Sequence, residues 1–218
     1  MLLQWSAPEY VPRSFLVSGV SGTNKAVKQT DTSFRLTKQV ADGLVDMQEV
    51  SKGLFLVQSE MAFKKETELC EEYPERKVFQ LSFCMNGICE WDYRQKRGEH
   101  YQLSPTQCSL QCGTFSQCVS RFGSEEPYRT LSISLEQERF LPLAEDLEAA
   151  HLIRRDNKIC THIFSTTPEI RLVLQQLLDC PPERKLRKLY LEGKVLELVS
   201  LFCEEAIGKQ KNDKEISR

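Results

Sequence analysis

Nine cysteines and three histidines are the side chains of this 218-residue chain that are best suited to metal binding or redox chemistry. Cys108, Cys112 and Cys118 lie within an eleven-residue stretch, and His100 precedes them. Structural zinc sites usually contain two pairs of ligands, with about two to four residues between the members of each pair. Here a single pair, Cys108 and Cys112, approaches that spacing. The sequence therefore predicts no bound metal and buried thiols that act as small hydrophobic side chains.

Two alternatives remain open for these side chains. A stand-alone metalloenzyme would need a cluster of histidine and carboxylate ligands, but His100 alone lies in the first 135 residues, and His151 and His162 follow later. A thiol-based sensor of redox state or metal would use the three clustered cysteines. Because the number of cysteines is odd and no signal peptide is evident, we expect reduced thiols in the cytoplasm rather than disulfides.

The sequence contains no motif of a common enzyme class. Gly-x-Gly-x-x-Gly, the Walker loop, His-Glu-x-x-His and Gly-x-Ser-x-Gly are all absent. These motifs would supply a phosphate cradle, a zinc-binding helix or an activated nucleophile. We therefore expect a protein without enzyme activity and without a cofactor.

The charge balance limits the range of binding partners. The chain has 29 Lys and Arg against 31 Asp and Glu, which gives a formal net charge of -2. A domain that binds nucleic acid by itself is usually strongly basic, so we expect no direct DNA binding by these residues. The apolar runs are far shorter than the ~20 residues that span a bilayer, which predicts no membrane segment.

Aromatic residues and one arginine are the candidates for binding a small molecule. Aromatic rings stack on planar ligands, and a guanidinium pairs with an anionic group. On two neighbouring predicted strands, alternate aromatic residues share one face. Core packing is the alternative for each ring, and a solvated surface position is the alternative for the arginine. The predicted ligand-binding residues are Arg35, Phe79, Phe83, Trp91, Tyr93 and Tyr101.

The first 135 residues contain eight short segments rich in β-branched and aromatic residues, with turn-forming residues between them. Apolar and polar residues alternate over 77–85, and Asn86-Gly87 then predicts a type I′ hairpin to the segment 88–93. Because the connections are too short for crossover helices, we expect antiparallel pairing in a sandwich or barrel. The predicted strands are 14–20, 33–40, 53–63, 77–85, 88–93, 108–112, 116–122 and 128–135.

From residue 136 onward, apolar residues recur at helical spacing. Two short helices are predicted around Pro142. Thr166 and Thr167 are N-cap candidates, with a capping box from Thr166, for a helix that ends before Pro181-Pro182. A last helix is predicted from about 182 to 207. Its apolar stripe is the candidate dimer interface, and packing inside the chain is the alternative. The stripe consists of Leu191, Val195, Leu198 and Phe202.

Two adjacent segments resemble the regulatory half of AraC-type transcription regulators, most closely the pyochelin-regulator-like branch. The first runs Leu-Gln-Gln-Leu-Leu-Asp-Cys-Pro over 174–181, and the second runs Leu-Arg-Lys-Leu-Tyr-Leu-Glu-Gly-Lys-Val-Leu-Glu-Leu over 186–198. The match is specific over these two segments, and the order of strands and then helices is compatible over most of the chain.

The resemblance implies an α+β fold, with a cupin-like antiparallel β-barrel followed by a C-terminal antiparallel helix pair. Residues 1–135 would form the effector-binding barrel, 136–208 the helical dimerisation region, and 209–218 a linker to a DNA-binding region that this chain does not contain. The implied protein is a cytoplasmic homodimer that binds a small-molecule effector, such as a siderophore or another aromatic or metal-chelating compound. It would reach DNA only through the helix-turn-helix region beyond this chain.

Overall fold

The computed structural model describes residues 2–4, 14–17, 33–35, 38, 40–94, 99–154, 156 and 158–216. Strands and helices make up most of these residues. The strands are β1 Leu2–Gln4, β2 Ser14–Val17, β3 Ser33–Phe34, β4 Ala41–Ser51, β5 Leu54–Phe63, β6 Thr67–Asn86, β7 Cys89–Tyr93, β8 Tyr101–Leu103, β9 Gln107–Phe122, β10 Tyr128–Leu135 and β11 Cys160–Ser165. The helices are α1 Gln137–Ala149, α2 Pro168–Leu178 and α3 Arg187–Ile216.

The named strands form one antiparallel sheet with its two longest strands, β6 and β9, paired near the centre. On the other side of β6, the order continues through β10, β5 and β4 to β3. The outer edge of β9 is divided, because β11 pairs with its first half and β7 pairs with its second half. β8 then pairs with β7, and the β1–β2 ribbon joins β6.

The sheet curls until strands from its two halves face each other. Phe63 on β5 stacks on Phe122 on β9 with ring centroids 4.6 Å apart, although β10 and β6 lie between these strands. Side chains from β4, β5, β6, β7 and β9 share one apolar cluster on this side, which we call the inner face. Within the described residues the end strands β3 and β8 do not pair, so the predicted barrel is curved but open.

The helices cover the opposite side of the sheet, which we call the outer face. Phe79, Leu81 and Phe83 of β6 lie on this face and are fully buried. Phe140 of α1 stacks on Phe79 at 5.3 Å, and Phe202 of α3 meets Phe83 edge to face at 6.1 Å. Burial of one such side chain stabilises the fold by ~1.5–3 kcal/mol, so this apolar layer holds the helices on the sheet.

The predicted hairpin across Asn86-Gly87 is wrong. β7 pairs with β9 and β8, and not with β6. Gly87 has a φ of 72°, but a type I′ turn also needs a positive φ at the preceding residue, and Asn86 lacks one. Asn86 Nδ2 instead donates a hydrogen bond to the Pro127 carbonyl at 2.7 Å. After this turn the chain therefore does not return alongside β6 but continues into β7, which pairs with β9.

Several other strands differ from the prediction. The segments 108–112 and 116–122 belong to the single strand β9, and 77–85 is the second half of the longer β6. β4, which contains the Asp42-Gly43 pair, was not predicted because that dipeptide is typical of turns. β11 lies within 136–208, so the segment predicted as helical also supplies a strand to the sheet.

The first two helices also differ from the prediction. α1 is one continuous helix through Pro142, rather than two short helices. α2 is capped by Thr167, one of the two predicted N-cap residues, whose Oγ1 accepts a hydrogen bond from the Ile170 backbone N–H at 3.3 Å. The predicted capping box from Thr166 is wrong, because Thr166 Oγ1 instead donates a hydrogen bond to the Thr106 carbonyl at 2.9 Å. This bond links the start of α2 to the turn between β8 and β9.

α2 and α3 form the predicted helix pair. Tyr190 near the start of α3 donates to the Gln176 carbonyl near the end of α2, and Lys209 farther along α3 donates to the Ser165 carbonyl just before α2. These two contacts show that the helices run antiparallel. α3 continues to Ile216, however, so the helix extends through most of the segment predicted as a linker. The α+β class and the cupin-like antiparallel sheet followed by this helix pair are confirmed.

A substitution at Gly113 tests how closely the backbone of β9 approaches the segment that precedes β11. Its φ is 134°, and a Cβ added there would lie 2.5 Å from both Ile159 Cα and the Lys158 carbonyl oxygen. We expect Gly113→Ala to lower the free energy of unfolding by about 2–4 kcal/mol, because both the backbone conformation and the neighbouring backbone exclude a side chain. Urea unfolding followed by circular dichroism measures the change.

Gly208→Ala is the matched control. Gly208 lies within α3, and an added Cβ there meets nothing within 4 Å. This variant should raise the free energy of unfolding by about 0.5–1 kcal/mol, because alanine is the better helix former. Similar values for the two variants would contradict the close approach at Gly113.

Candidate functional site

The inner face of four adjoining strands carries hydroxyl and amide side chains. They alternate with the apolar residues that face the helices, and the strand registers place them in two rows across β10, β6, β9 and β11. The first row contains Ser134, Gln80, Gln111 and Thr161. The second row contains Ser132, Ser82, Ser109 and Ile163. The seven polar residues of these rows are called the floor.

Hydrogen bonds connect the side chains of the floor. Ser82 Oγ and Ser132 Oγ are 2.9 Å apart, and Gln80 Nε2 donates to Ser82 Oγ at 3.1 Å. Gln111 Nε2 donates to Ser109 Oγ at 3.4 Å. The serines are buried, whereas the two glutamines remain partly exposed, so solvent reaches the first row. Burial of these uncharged groups is tolerated because they pair with one another.

Three aromatic residues on β7 and β8 form a wall beside the floor. Trp91 stacks on Tyr101 with ring centroids 5.5 Å apart, and Tyr93 meets Tyr101 edge to face at 5.9 Å. The Tyr93 hydroxyl donates to Gln111 Oε1 at 2.8 Å and accepts from Thr161 Oγ1 at 3.5 Å. These hydrogen bonds join the wall and the floor into one concave site.

The two tyrosine hydroxyls of the concave site are uncharged at physiological pH. Burial raises the pKa of Tyr93 well above its ordinary value, so its hydroxyl keeps its proton. Burial also raises the pKa of Tyr101, and the neighbouring Glu99 carboxylate, which accepts a hydrogen bond from the Tyr101 hydroxyl, adds to this effect. Trp91 and Tyr93 are buried, so Tyr101, which is partly exposed, is the ring of the wall that the site presents beside neutral hydrogen-bonding groups and one carboxylate at its rim.

The structure brings together three of the predicted ligand-binding residues. Trp91, Tyr93 and Tyr101 form the wall, as expected from their positions on neighbouring strands. Phe79 and Phe83 do not line the same site, because they lie on the outer face and contact α1 and α3. The core-packing alternative therefore describes these two rings, and it also describes Trp91 and Tyr93, which are 4% and 1% exposed within the inner cluster.

Arg35 also lies apart from the wall. It is exposed and directly follows β3, and its Nη1 approaches the Gly43 carbonyl at 3.5 Å. The surface alternative thus describes its position in the structure, and pairing with an anionic effector remains a prediction without a contact to the aromatic site.

The apolar stripe predicted as a dimer interface packs within the chain. Its four residues are at most 1% exposed, and they belong to the core between the helices and the outer face. The amphipathic pattern indicated correctly which face of α3 is covered, but not what covers it. The exposed leucines of α3 are instead Leu189 and Leu196. The buried stripe is Leu191, Val195, Leu198 and Phe202.

The three clustered cysteines do not converge on one site. Cys108 and Cys112 face the helix layer, whereas Cys118 belongs to the inner cluster. Cys108 and Cys112 are also about 13 Å apart along the strand, at ~3.3 Å per residue. His100 is exposed, 3.4 Å from a Glu90 carboxylate oxygen. The described residues contain no group of three or more side chains placed to hold a metal ion, and thus no ligand set for either metal alternative.

Sequence analysis did not identify the floor. The signal was present on β10, where Thr130, Ser132 and Ser134 alternate with Leu131 and other apolar residues. Such alternation usually indicates a strand with one face in the core and one face in water. Here all three polar residues are buried, because the sheet curls around them.

A second concavity lies between α1 and α3 beside the outer face. Its volume is about 320 Å³ and its lining is mainly apolar. Arg139 on its rim is held by the Lys52 carbonyl at 2.7 Å and by Ser51 Oγ at 2.8 Å. Ligand sites typically combine an apolar surface with a few placed polar groups, and this groove also has such groups in Asp146, Ser200 and Glu204. Apolar lining residues of the groove are Leu54, Leu135, Leu143, Leu147, Leu196, Val199 and Ile207.

The fold has relatives among solved structures. The AraC-like transcriptional activator CuxR aligns with a TM-score of 0.54 and 8% identity, over 77% of this chain and 56% of CuxR. Apo ToxT K231A from Vibrio cholerae strain SCE256 aligns with a TM-score of 0.53 and 12% identity, over 75% of this chain and 59% of ToxT. The chain thus spans less than two thirds of the length of either protein. Its fold is that found in AraC-like transcription regulators.

Sequence comparison identifies the family. Residues 42–216 match the family described as the regulatory protein PchR N-terminal domain, a span that includes the floor, the wall and all three named helices. The chain belongs to this family of regulatory domains, and the resemblance to the regulatory half of AraC-type regulators is confirmed. No curated protein matches the chain. Among the described helices, none is long and apolar enough to cross a membrane.

Thiol labelling tests the cysteine-sensor alternative. Burial raises the pKa of Cys84 to about 11 and the pKa of Cys108 and Cys203 to about 12. A raised pKa lowers the thiolate fraction at pH 8, and the thiolate is the form that iodoacetamide alkylates. We expect Cys70, which is partly exposed, to be labelled at least ~100-fold faster than Cys108, as measured by timed labelling and peptide mass spectrometry.

The control for this measurement is Cys70→Ser, which should remove the fast phase. Unfolding in urea should then make the remaining cysteines react at similar rates. Fast labelling of Cys108 or Cys112 in the folded protein would instead support the thiol sensor.

Proposed function

We propose that this chain is the effector-sensing domain of an AraC-type regulator and that its effector binds between the floor and the wall. Membership in a family of regulatory domains supports the sensing role. The geometry supports the location, because the partly exposed Tyr101 ring lies beside placed hydrogen-bonding groups, a combination typical of small-molecule sites. The domain binds its effector without changing it chemically.

The observation that carries the proposal is that β6 contributes to the floor with one face and contacts the helices with the other. Ser82 lies on the floor, and the next residue, Phe83, contacts Phe202 of α3. Gln80 lies on the floor, and the preceding residue, Phe79, stacks on a ring of α1. An effector that orders these strands therefore alters the surface on which the helices pack. A coupling of ~1–3 kcal/mol is typical of such allosteric responses.

The proposed effector is a small aromatic or metal-chelating molecule, such as a siderophore, whose ring would stack on Tyr101, the partly exposed ring of the wall. DNA would be bound by a helix-turn-helix region outside this chain. α3 packs on the outer face through its middle part and continues to Ile216, so this helix is the proposed connection between the sensing domain and that region.

A thermal-shift screen of small aromatic and metal-chelating compounds tests the site. A compound present at about one hundred times its dissociation constant should add ~2.7 kcal/mol to the stability and raise Tm by about 5–10 °C. Gln80→Leu should reduce this shift, because it removes a floor amide. Gln58→Leu should keep it, because Gln58 is also partly exposed but lies on the outer face of β5.

The comparison of the two glutamine variants decides the location. Both variants should unfold near the wild-type Tm without compound, since each replaces a partly exposed side chain. An equal shift in Gln80→Leu and wild type would place the binding site elsewhere.

The proposed homodimer forms through the exposed stripe of α3 rather than the buried one. Leu189 and Leu196 are 64% and 45% exposed and are one heptad apart. Gly193 lies between them, and an added Cβ there meets nothing within 4 Å, so a second backbone has room to approach. A two-fold pair of such helices would bury the leucines of both copies against each other.

Charge substitutions test this dimer. Leu196→Arg should weaken self-association by at least about tenfold, because a buried unpaired guanidinium is strongly unfavourable. Leu172→Arg is the control, since Leu172 is 61% exposed but lies on α2. Sedimentation equilibrium measures both variants against wild type. A monomeric wild-type protein, or unchanged association of Leu196→Arg, would contradict the proposed interface.

A further inference from the structure

The groove between α1 and α3 is a concavity on the opposite side of the sheet from the floor and the wall. Its volume is about 320 Å³, and its most buried lining residues include Leu54, Leu135 and Leu147, which are at most 5% exposed. These leucines belong to the core between the outer face and the helices. Ligand pockets start at about 300 Å³ and are lined mostly by apolar side chains. The groove therefore has the size and the lining of a small-molecule site.

Two carboxylates, one from each helix, line this groove. Asp146 lies on α1 and Glu204 lies on α3, and both side chains are exposed. Ser200 Oγ donates a hydrogen bond to Glu204 Oε1 at 3.1 Å. Among the described residues, neither carboxylate forms an ion pair. Such carboxylates are negatively charged at pH 7, so the groove combines an apolar lining with two uncompensated negative charges.

Arg139 is the one cation among the described residues that line the groove, and its guanidinium already has partners. It donates hydrogen bonds to the Lys52 carbonyl at 2.7 Å and to Ser51 Oγ at 2.8 Å, and it lies 3.7 Å from a Glu192 carboxylate oxygen. Asp146 follows Arg139 by seven residues, or about 10 Å along α1. Arg139 therefore neither neutralises the two carboxylates nor remains open for an anionic ligand.

We propose that this groove is a second ligand site, which binds a lipophilic ammonium ion. The hydrocarbon part of the ligand lies on the apolar lining, and its ammonium group lies between Asp146 and Glu204. Burial of the hydrocarbon part supplies most of the affinity, and the two carboxylates select the charge. The inference goes beyond the proposed function, because the effector site lies on the inner face of the sheet.

The groove borders the proposed dimer contact without coinciding with it. Leu196, one of the two leucines of that contact, lines the groove. Glu204 lies eight residues farther along α3, which corresponds to about 12 Å. The carboxylate that holds the ammonium group is therefore more than one helical turn beyond the leucines of the contact.

Three probes with the same hydrocarbon skeleton test the charge preference. At pH 7, 4-phenylbutylamine is a cation, 4-phenyl-1-butanol is uncharged and 4-phenylbutyrate is an anion. We expect the amine to bind the whole chain about three- to tenfold more tightly than the alcohol, and the carboxylate to bind most weakly. Methyl NMR titration measures each dissociation constant.

Two isoleucine methyl signals locate the probe. Ile207 lines the groove, and its signal should move. Ile163 belongs to the second row of the inner face, and its signal should stay in place. The variants Ile207→Val and Ile163→Val each remove one signal and thereby assign it.

Charge variants assign the preference to the two carboxylates. Glu204→Gln and Asp146→Asn should each bring the affinity for the amine closer to that for the alcohol, with binding of the alcohol changed less than about twofold. Glu145→Gln is the matched control, because Glu145 is an exposed acid on α1 that does not line the groove. It changes the net charge equally and should keep the preference for the amine.

Each outcome supports or overturns the inference. Tightest binding of the amine, with movement of the Ile207 signal and a preference that Glu204→Gln reduces and Glu145→Gln keeps, supports it. Equal or tighter binding of the alcohol or the carboxylate by the wild-type protein overturns the charge selection, as does an equal loss of preference in Glu145→Gln. An unmoved Ile207 signal with all three probes, or movement of Ile163 in its place, overturns the location.

The experiment also distinguishes a small ligand from a second copy of the chain in the groove. Titrations at protein concentrations below and above self-association should give the same affinity for the amine. Loss of binding on self-association would show that a second copy covers the groove and would overturn the inference. The proposed function is tested separately, by the thermal-shift comparison of the two glutamine variants.

Discussion

Packing of the helices on the outer face of β6, β9 and β10 is the interaction on which the rest of the structure depends. Residues alternate between the two faces of a strand, so holding Phe79 and Phe83 beneath α1 and α3 forces Gln80 and Ser82 to the inner face. A shift of one residue would place the amides under the helices and the rings on the inner face. The apolar core therefore determines the position of the polar site as well as the fold.

The polar site has to keep its shape inside a largely apolar molecule. The hydroxyls of Ser82 on β6 and Ser132 on the adjacent β10 are hydrogen-bonded to each other, and the Tyr93 hydroxyl donates a hydrogen bond to Gln111 Oε1. These groups therefore have hydrogen-bond partners without a ligand. Paired buried groups of this kind hold a site in one arrangement before a ligand arrives, which reduces the entropy lost on binding.

Local patterns predicted strands followed by a helix pair, and the resemblance of the segments 174–181 and 186–198 indicated the family and the α+β class. Amphipathic spacing identified α2 and most of α3, because helix formation depends on residues three and four apart. The Asn86-Gly87 hairpin failed for the opposite reason. Gly87 permits a tight turn, but β9, a strand twenty residues farther along the chain, lies between β6 and β7 and takes the hydrogen bonds of both.

The sequence by itself determined which faces of its strands and helices are apolar, because side-chain periodicity is set by backbone geometry within a few residues. It therefore identified the buried stripe of α3 and the aromatic residues of β7. Only the tertiary structure decided what covers each face. The curl of the sheet encloses Ser132 and Ser134 and brings Phe63 to Phe122, because curvature arises from contacts between strands that are distant in the chain. No local pattern encodes such contacts.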